Sequence, residues 1–141
     1  MTLEELNTKY LFFKEITGRS MEVHREYKPG LLESAYEAAL KYLIEQDGYK
    51  VERQVFLPIY WKDVRLDQNY RIDLVVNGNI IVELKAVRYV TIEHKQQLWN
   101  YMRLTKQPNG MIINFGNKSL YSEWFEQDLV AGTIKKVYLI R

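Results

Sequence analysis

The sequence predicts an α/β fold in which helices flank a central mixed sheet. Apolar residues recur at helical spacing early in the chain, segments rich in Val, Ile, Leu and Tyr follow, and another helix then precedes a further apolar strand. With 141 residues and 47% hydrophobic side chains, the chain has the size and apolar content of one domain. We therefore expect a single domain over residues 1–141, with a core at about 21–118 and a C-terminal appendage at 119–141.

Three long helices are expected. Apolar residues at helical spacing predict a first helix from residue 3 to about residue 26, which Pro29-Gly30 ends. Residues 31–46 are rich in strong helix formers and stop at Asp47-Gly48. Thr91 is a suitable N-cap for a third helix, which runs to about residue 105.

Strands are expected between and after these helices. Their segments combine β-branched and aromatic residues and are bounded by turn residues. The predicted strands are 50–61, 70–76, 80–87, 111–115 and 133–140, with a brief helix over 122–129.

The turn at residues 77–79 decides which side chains of the second and third strands meet. A two-residue loop would throw Asp73 and Glu83 onto opposite faces of the sheet. A three-residue loop pairs Val76 with Ile80 and sets Asp73 directly across from Glu83. We predict the three-residue register, because such a loop usually ends with a left-handed residue, a conformation that Asn79 tolerates.

Charged side chains interrupt apolar runs that should form buried strands. Alternation puts Glu83 and Lys85 on one face, with Asp73 opposite Glu83. Adding Glu33 gives three acids against one ammonium, and such hard oxygen ligands suit Mg²⁺ or Mn²⁺. The alternatives are a buried structural ion pair for the strand residues and, for Glu33, simple stabilisation by the helix dipole.

Further side chains are placed by helical spacing. His94, Gln97 and Tyr101 share one helix face, which is either an amphipathic boundary or a polar strip beside the strand site. On the same grounds, Tyr36 is expected at the edge of the core and Glu37 on the surface.

Composition excludes several classes of site. The absence of Cys excludes disulfides, disulfide-linked partners and zinc–thiolate sites, and two His are too few for a histidine-rich metal centre. A formal charge of +2 permits an acidic partner without requiring one. Four cations are either phosphate contacts or ordinary surface charge: Arg88, Arg103, Lys106 and Lys118.

The sequence also bears on location and assembly. No apolar run approaches the ~20 residues that span a bilayer. The first ten residues lack the basic-then-apolar order of a signal peptide. We therefore expect a cytoplasmic protein without a membrane partner, and leave a homo-oligomer open.

Several segments together resemble the GxxExxY proteins, a branch of the PD-(D/E)XK nuclease superfamily. Residues 30–36, GLLESAY, fit the signature of that branch. Lys28 departs from the pattern, because Gly usually precedes the Pro-Gly pair in this family. The resemblance continues in order through residues 22–25, 51–55, 70–74, 81–87, His94, 97–98 and 112–116.

The resemblance implies a restriction-endonuclease-like αβββαβ fold and a Mg²⁺- or Mn²⁺-dependent nuclease that hydrolyses phosphodiester bonds in DNA. Asp73, Glu83 and Lys85 would stand at the catalytic positions of the superfamily. Glu33 matches the helix glutamate that some branches add to the metal site, and the backbone carbonyl of Leu84 would be a further metal ligand.

Supporting residues follow from the same resemblance. Gln97 and Tyr101 fit the Gln-x-x-x-Tyr motif of exonuclease-like branches, and with His94 and Tyr36 they would support the site or contact phosphate. Fold and activity can separate. A catalytically inactive module that binds nucleic acid or protein on the same fold is therefore the competing hypothesis, and a purely structural domain is a third.

Overall fold

The structure is a computed structural model that describes residues 2–138. The described chain contains four helices and six strands, so the predicted α/β class is confirmed. None of these helices has the length and apolar character needed to cross a membrane. The helices are α1 (Leu3–Lys9), α2 (Leu11–Tyr27), α3 (Glu33–Gln46) and α4 (Ile92–Thr105). The strands are β1 (Val51–Trp61), β2 (Val64–Val76), β3 (Ile80–Lys85), β4 (Asn109–Asn114), β5 (Tyr121–Gln127) and β6 (Ile134–Lys136).

The first predicted helix is divided at Tyr10, so the prediction of a single helix from residue 3 to about residue 26 was wrong. The backbone of Tyr10 leaves the helical conformation, with φ −108° and ψ 17°. Its side chain is buried, and its hydroxyl donates to a carboxylate oxygen of Glu126 at 3.2 Å. Because propensity is a weak preference that tertiary contacts override, this anchored side chain interrupts the helix.

The later helices agree with the sequence. α3 and α4 confirm the two remaining predictions, and Thr91 caps α4 as expected. The Thr91 hydroxyl accepts the backbone N–H of His94 at 3.3 Å.

The described strands form one sheet in the order β1-β2-β3-β4-β5-β6. β3 and β4 are parallel, and every other neighbouring pair is antiparallel. Val76 pairs with Ile80, which confirms the three-residue register. The left-handed residues of the turn are Asn77 and Gly78, not Asn79 as expected. The reason is that the Asn77 side chain accepts the Lys50 N–H at 2.9 Å and fixes the first turn position.

The segment predicted as a brief helix over 122–129 is the strand β5, so that prediction was wrong. β5 pairs with the whole of β4, from Asn114–Tyr121 to Asn109–Glu126. Phe125 and Gln127 are buried. The backbone hydrogen bonds offered by the edge of β4 are non-local, so local sequence does not reveal them. β6 lies within the predicted strand 133–140, whose last residues fall outside the described part of the chain.

Two apolar clusters cover the two faces of the sheet. One packs α2 and α3 against residues such as Val82 and Leu84, and the other packs α4 against Ile81 and Ile112. Alternate residues of β3 therefore point to opposite layers, as expected for a strand buried on both faces. The parallel strands end at Lys85 and Asn114, between the helical layers.

Candidate active site

Asp73 and Glu83 meet where the backbone pairing of β2 and β3 ends. The last backbone pair is Leu74 with Val82. Beyond it, Asp73 Oδ2 accepts the backbone N–H of Leu84 at 2.8 Å, and Glu83 Oε1 accepts the backbone N–H of Asp73 at 3.1 Å. The two carboxylates therefore lie close together and continue the hydrogen bonding of the hairpin.

Both carboxyl groups lie where ionisation is unfavourable. Glu83 is only 2% exposed, and burial raises its pKa well above the usual range, with the charge of Asp73 adding to the effect. Burial also raises the pKa of Asp73. Across residues 2–138, no Lys, Arg or His nitrogen lies within 4.0 Å of either carboxylate. The described protein therefore supplies no direct cation to this pair.

Lys85 is held by a hydrogen-bonded chain from α4. Its Nζ donates to Gln97 Oε1 at 3.0 Å, and Gln97 Nε2 donates to the Tyr101 hydroxyl oxygen at 3.1 Å. The pKa of Tyr101 is raised to about 12, mainly by burial and further by the charge of Glu83. Tyr101 is therefore a neutral phenol near pH 7, and Gln97 is oriented with its oxygen toward the ammonium.

Glu33 begins α3 and lies within the electrostatic field of the strand residues. It is partly buried, and burial is the main cause of its raised pKa. The charge of Asp73 raises the pKa of Glu33 further, whereas the charge of Lys85 opposes the shift. The structure thus brings Asp73, Glu83, Lys85, Gln97 and Glu33 into one neighbourhood.

Glu37 is a site neighbour that the sequence analysis placed on the surface, and that prediction was wrong. Its side chain is buried, with only 2% of the residue exposed. The Glu37 carboxylate accepts from Arg53 Nε at 2.6 Å and from Gln54 Nε2 at 3.0 Å, and Gln54 Nε2 also donates to Asp73 Oδ1 at 3.3 Å. Gln54 has φ 54°, a left-handed conformation that is strained for a side chain other than glycine. The available signal was the one-turn spacing between Glu33 and Glu37.

Tyr36 and His94 make their contacts outside this cluster. Tyr36 is fully buried rather than at the core edge, stacks on Phe115 with ring centroids 4.6 Å apart, and donates its hydroxyl to the Lys28 carbonyl. His94 Nδ1 accepts the backbone N–H of Thr91 at 3.0 Å. These contacts hold the α2–α3 loop and the first turn of α4.

Asn114 and Gly116 fix the loop that follows Lys85, and sequence reasoning gave them no role. Asn114 Oδ1 accepts the backbone N–H of Val87 at 3.0 Å, and Asn114 Nδ2 donates to the Val87 carbonyl at 2.8 Å. A Cβ at Gly116 would lie 2.3 Å from Val87 N and O, so only glycine permits this approach. The signal was a polar residue inside the apolar run 111–115.

The carboxylates of this cluster are candidate ligands for a hard divalent cation. Asp73 and Glu83 supply oxygen ligands without a nearby protein cation, and Glu33 adds a third acid to the same field. Within residues 2–138, no group of three or more His, Cys, Asp or Glu side chains is close enough to hold one ion. Mg²⁺ is commonly bound through one or two carboxylates, with water and substrate phosphate completing its shell. The residues present fit that mode.

Comparison with known proteins addresses the family and the fold. A family model described as the PD-(D/E)XK nuclease superfamily matches residues 11–126. The chain is also similar to the crystal structure of SSO0001, with a TM-score of 0.53 and 18% sequence identity, over 89% of this chain and 64% of that one. The chain thus spans less than two thirds of that structure, and the likeness concerns the fold alone. No curated protein matches the chain. The family match and the structural similarity together confirm the restriction-endonuclease-like fold.

Proposed function

The chain belongs to the PD-(D/E)XK nuclease superfamily, and on that premise we propose that it is a metal-dependent nuclease that hydrolyses phosphodiester bonds in DNA. The observation that carries the proposal is the meeting of Asp73 and Glu83 beside Lys85, which Gln97 holds at 3.0 Å. Membership of the GxxExxY branch, which residues 30–36 resemble, is part of the same proposal.

We assign metal binding to Asp73 and Glu83, with Glu33 and the carbonyl of Leu84 in support. Burial raises the pKa values of the two strand carboxyl groups, and a bound cation would favour the ionised form of both. When bound, Mg²⁺ or Mn²⁺ lowers the pKa of a coordinated water and neutralises charge on the phosphate. The backbone N–H groups of Asp73 and Leu84 fix one oxygen of each carboxylate and thereby limit their rotation.

Lys85 is assigned the stabilisation of negative charge on the reacting phosphate, or the orientation of the attacking water. A positive charge that is held in place before the reaction stabilises the transition state without reorganisation. Gln97 supplies that restraint through its oxygen, and Tyr101 fixes the opposite end of the Gln97 amide. Gln97 and Tyr101 are therefore positioning residues.

The test compares Mg²⁺-dependent cleavage of plasmid and of single-stranded DNA by matched variants. Asp73→Asn and Lys85→Met remove one charge each from the site, and we expect each to lower the rate by about 100-fold or more. Asp67→Asn makes the same change at an exposed position on β2 and should cleave at the wild-type rate. Equal cleavage by all four proteins would show that a contaminant is responsible.

A second candidate function is a non-catalytic module that binds nucleic acid on the same fold. It is favoured by the hydrogen bonds that Asp73 and Glu83 already accept, and by the lack of a three-residue ion-binding group among residues 2–138. This function predicts DNA binding in EDTA that Asp73→Asn leaves unchanged. Calorimetric titration with Mg²⁺ or Mn²⁺ separates the two, since the nuclease proposal requires heat of binding that Asp73→Asn abolishes.

A further inference from the structure

A groove lined by cations lies between α2 and the loops that follow β3 and β4. Its cavity measures about 950 Å³, and no Asp or Glu lines it. None of its cations forms an ion pair within the described chain. We define the basic groove by these four cations: Arg25, Lys28, Arg88 and Lys118.

Charged residues near the C-terminal end of α2 line different depressions. Arg25 lines the basic groove, whereas Glu22 and Glu26 line a different depression. The groove also includes the apolar side chains of Met21 and Leu120. A wall that combines cations with apolar surface matches the chemistry of a nucleotide, which presents a phosphate together with a sugar and a base.

One wall of the groove lies close in sequence to the candidate active site. Arg88 follows Lys85 by three residues, which limits the separation of their Cα atoms to about 11 Å. The Arg88 carbonyl accepts from Asn117 Nδ2 at 2.9 Å, beside the close approach of Gly116 to Val87. This wall is therefore fixed relative to the lysine of the site.

The opposite wall carries a strained cation. Lys28 has φ 56° and ψ 177°, a region of backbone conformation that is almost restricted to glycine. It begins the loop that leads to Glu33, and its carbonyl accepts the Tyr36 hydroxyl. A lysine at a position that favours glycine is a cost to folding, and this residue lines the groove. Strain of this kind is common where a side chain serves a function.

We propose that the basic groove binds the phosphate-bearing backbone of a nucleic-acid strand next to the reacting phosphate. The inference rests on the proposed function, which identifies the ligand as nucleic acid. The basic groove would position the nucleic-acid strand, since contacts between cations and phosphates fix the register of the strand without reading its sequence. The groove and the site together would span neighbouring phosphates of one strand.

The first experiment measures DNA binding by fluorescence anisotropy in EDTA, so that no cleavage occurs. Arg88→Gln/Lys118→Gln removes two groove cations. Each lost phosphate contact should lower the slope of log K against log salt by about 0.9 for duplex and about 0.7 for single-stranded DNA, and the double variant by about twice that. The expected result is weaker binding with a shallower slope.

The matched control is Arg103→Gln/Lys106→Gln. Arg103 lies in the last turn of α4 and Lys106 is its C-cap residue. Both precede the start of β4, at the opposite end of the parallel strands from Lys85 and Asn114. The control removes the same two residue types and the same net charge, so a general charge effect would appear equally in both double variants. Equal loss in both, or unchanged binding by the groove variant, would overturn the proposal.

Lys28→Gly is a second variant, and its result can be interpreted even if the double variant does not fold. Glycine relieves the left-handed conformation, so we expect a higher Tm together with weaker and less salt-dependent DNA binding. A purely structural role for Lys28 would not give both changes at once. If the double variant does not fold, unchanged binding by Lys28→Gly overturns the proposal.

Oligonucleotides with a 5′-phosphate and with a 5′-hydroxyl distinguish the two sources of phosphate. A loss on both supports backbone contacts, and a loss on the phosphorylated one alone corrects the proposal to a terminal phosphate. No DNA binding by the wild type overturns the groove assignment. Binding that depends on the groove without any Mg²⁺-dependent cleavage would instead contradict the nuclease function and leave the groove in place.

Discussion

The acidic cluster around Asp73 and Glu83 and the basic groove differ both in the sign of their charges and in how deeply those charges are buried. Asp73 and Glu83 are buried or partly buried, and neither carboxylate has a protein cation within 4.0 Å among the described residues. In the groove, Arg25, Lys28 and Arg88 are exposed and no acid lines the cavity. The chain has not paired these opposite charges with each other.

The difference in burial determines how each region responds to change. A buried charge interacts strongly and is poorly screened, so changes in the acidic cluster should alter stability and metal affinity. An exposed cation is solvated and screened by salt, so changes in the groove should alter DNA binding with little effect on stability. The comparison can be sharpened by four measurements.

The largest expected effect is at Gly116, where the two regions are joined. Gly116→Ala places a Cβ 2.3 Å from Val87 backbone atoms, and we expect a loss of about 3 kcal/mol in the free energy of unfolding. Both cleavage and DNA binding should fall. Gly18→Ala is the matched control, because its Cβ meets nothing within 4 Å and a helical alanine should stabilise by about 0.5–1 kcal/mol. Similar urea denaturation midpoints for the two variants would contradict this role.

The next effect is the stabilisation by Mg²⁺ and its dependence on pH. The pKa values of Asp73, Glu83 and Glu33 are raised in the folded protein, so the contribution of these three groups to the stability of the metal-free protein is most favourable at low pH and is lost as pH rises through their folded-state pKa values. Mg²⁺ at 100 times its Kd should add about 2.7 kcal/mol. Its effect on Tm should grow with pH, because fewer protons compete for the carboxylates.

Glu83→Gln provides the control for that measurement. The amide keeps an oxygen that can accept the Asp73 N–H but cannot ionise. We therefore expect the metal-free variant to lose less stability with rising pH than the wild type and to respond less to Mg²⁺. Identical pH profiles in thermal melts would exclude Glu83 as the source of the effect.

A smaller loss of stability is expected at Glu37. Glu37→Ala removes the acceptor of Arg53 and Gln54, and should cost about 2 kcal/mol because hydrogen bonds to a charged group are lost. Glu37→Gln retains an acceptor oxygen and should lose less in urea denaturation. Equal losses would assign the effect to charge alone.

The smallest effect on stability is expected in the basic groove. Arg88→Gln/Lys118→Gln replaces two exposed side chains, and the free energy of unfolding should stay within about 0.5 kcal/mol of the wild type. Chemical denaturation measures this directly. A large loss would show that these cations stabilise the fold, and would remove the contrast with the acidic cluster.

The sequence by itself determined the fold class, most elements and the β2–β3 register. Periodicity marked α3 and α4, and the turn at residues 77–79 set Val76 opposite Ile80. These features depend on neighbours in sequence, where side-chain spacing and turn chemistry act directly. They were sufficient to bring Asp73 and Glu83 together.

Only the tertiary structure decided the strand β5, the burial of Glu37 and the existence of the basic groove. β5 depends on the free edge of β4, and Glu37 is buried because Arg53 and Gln54 reach it from β1. The groove collects cations from α2 and two loops that are distant along the chain. No local pattern encodes such contacts, because the partner that stabilises each one is supplied by packing.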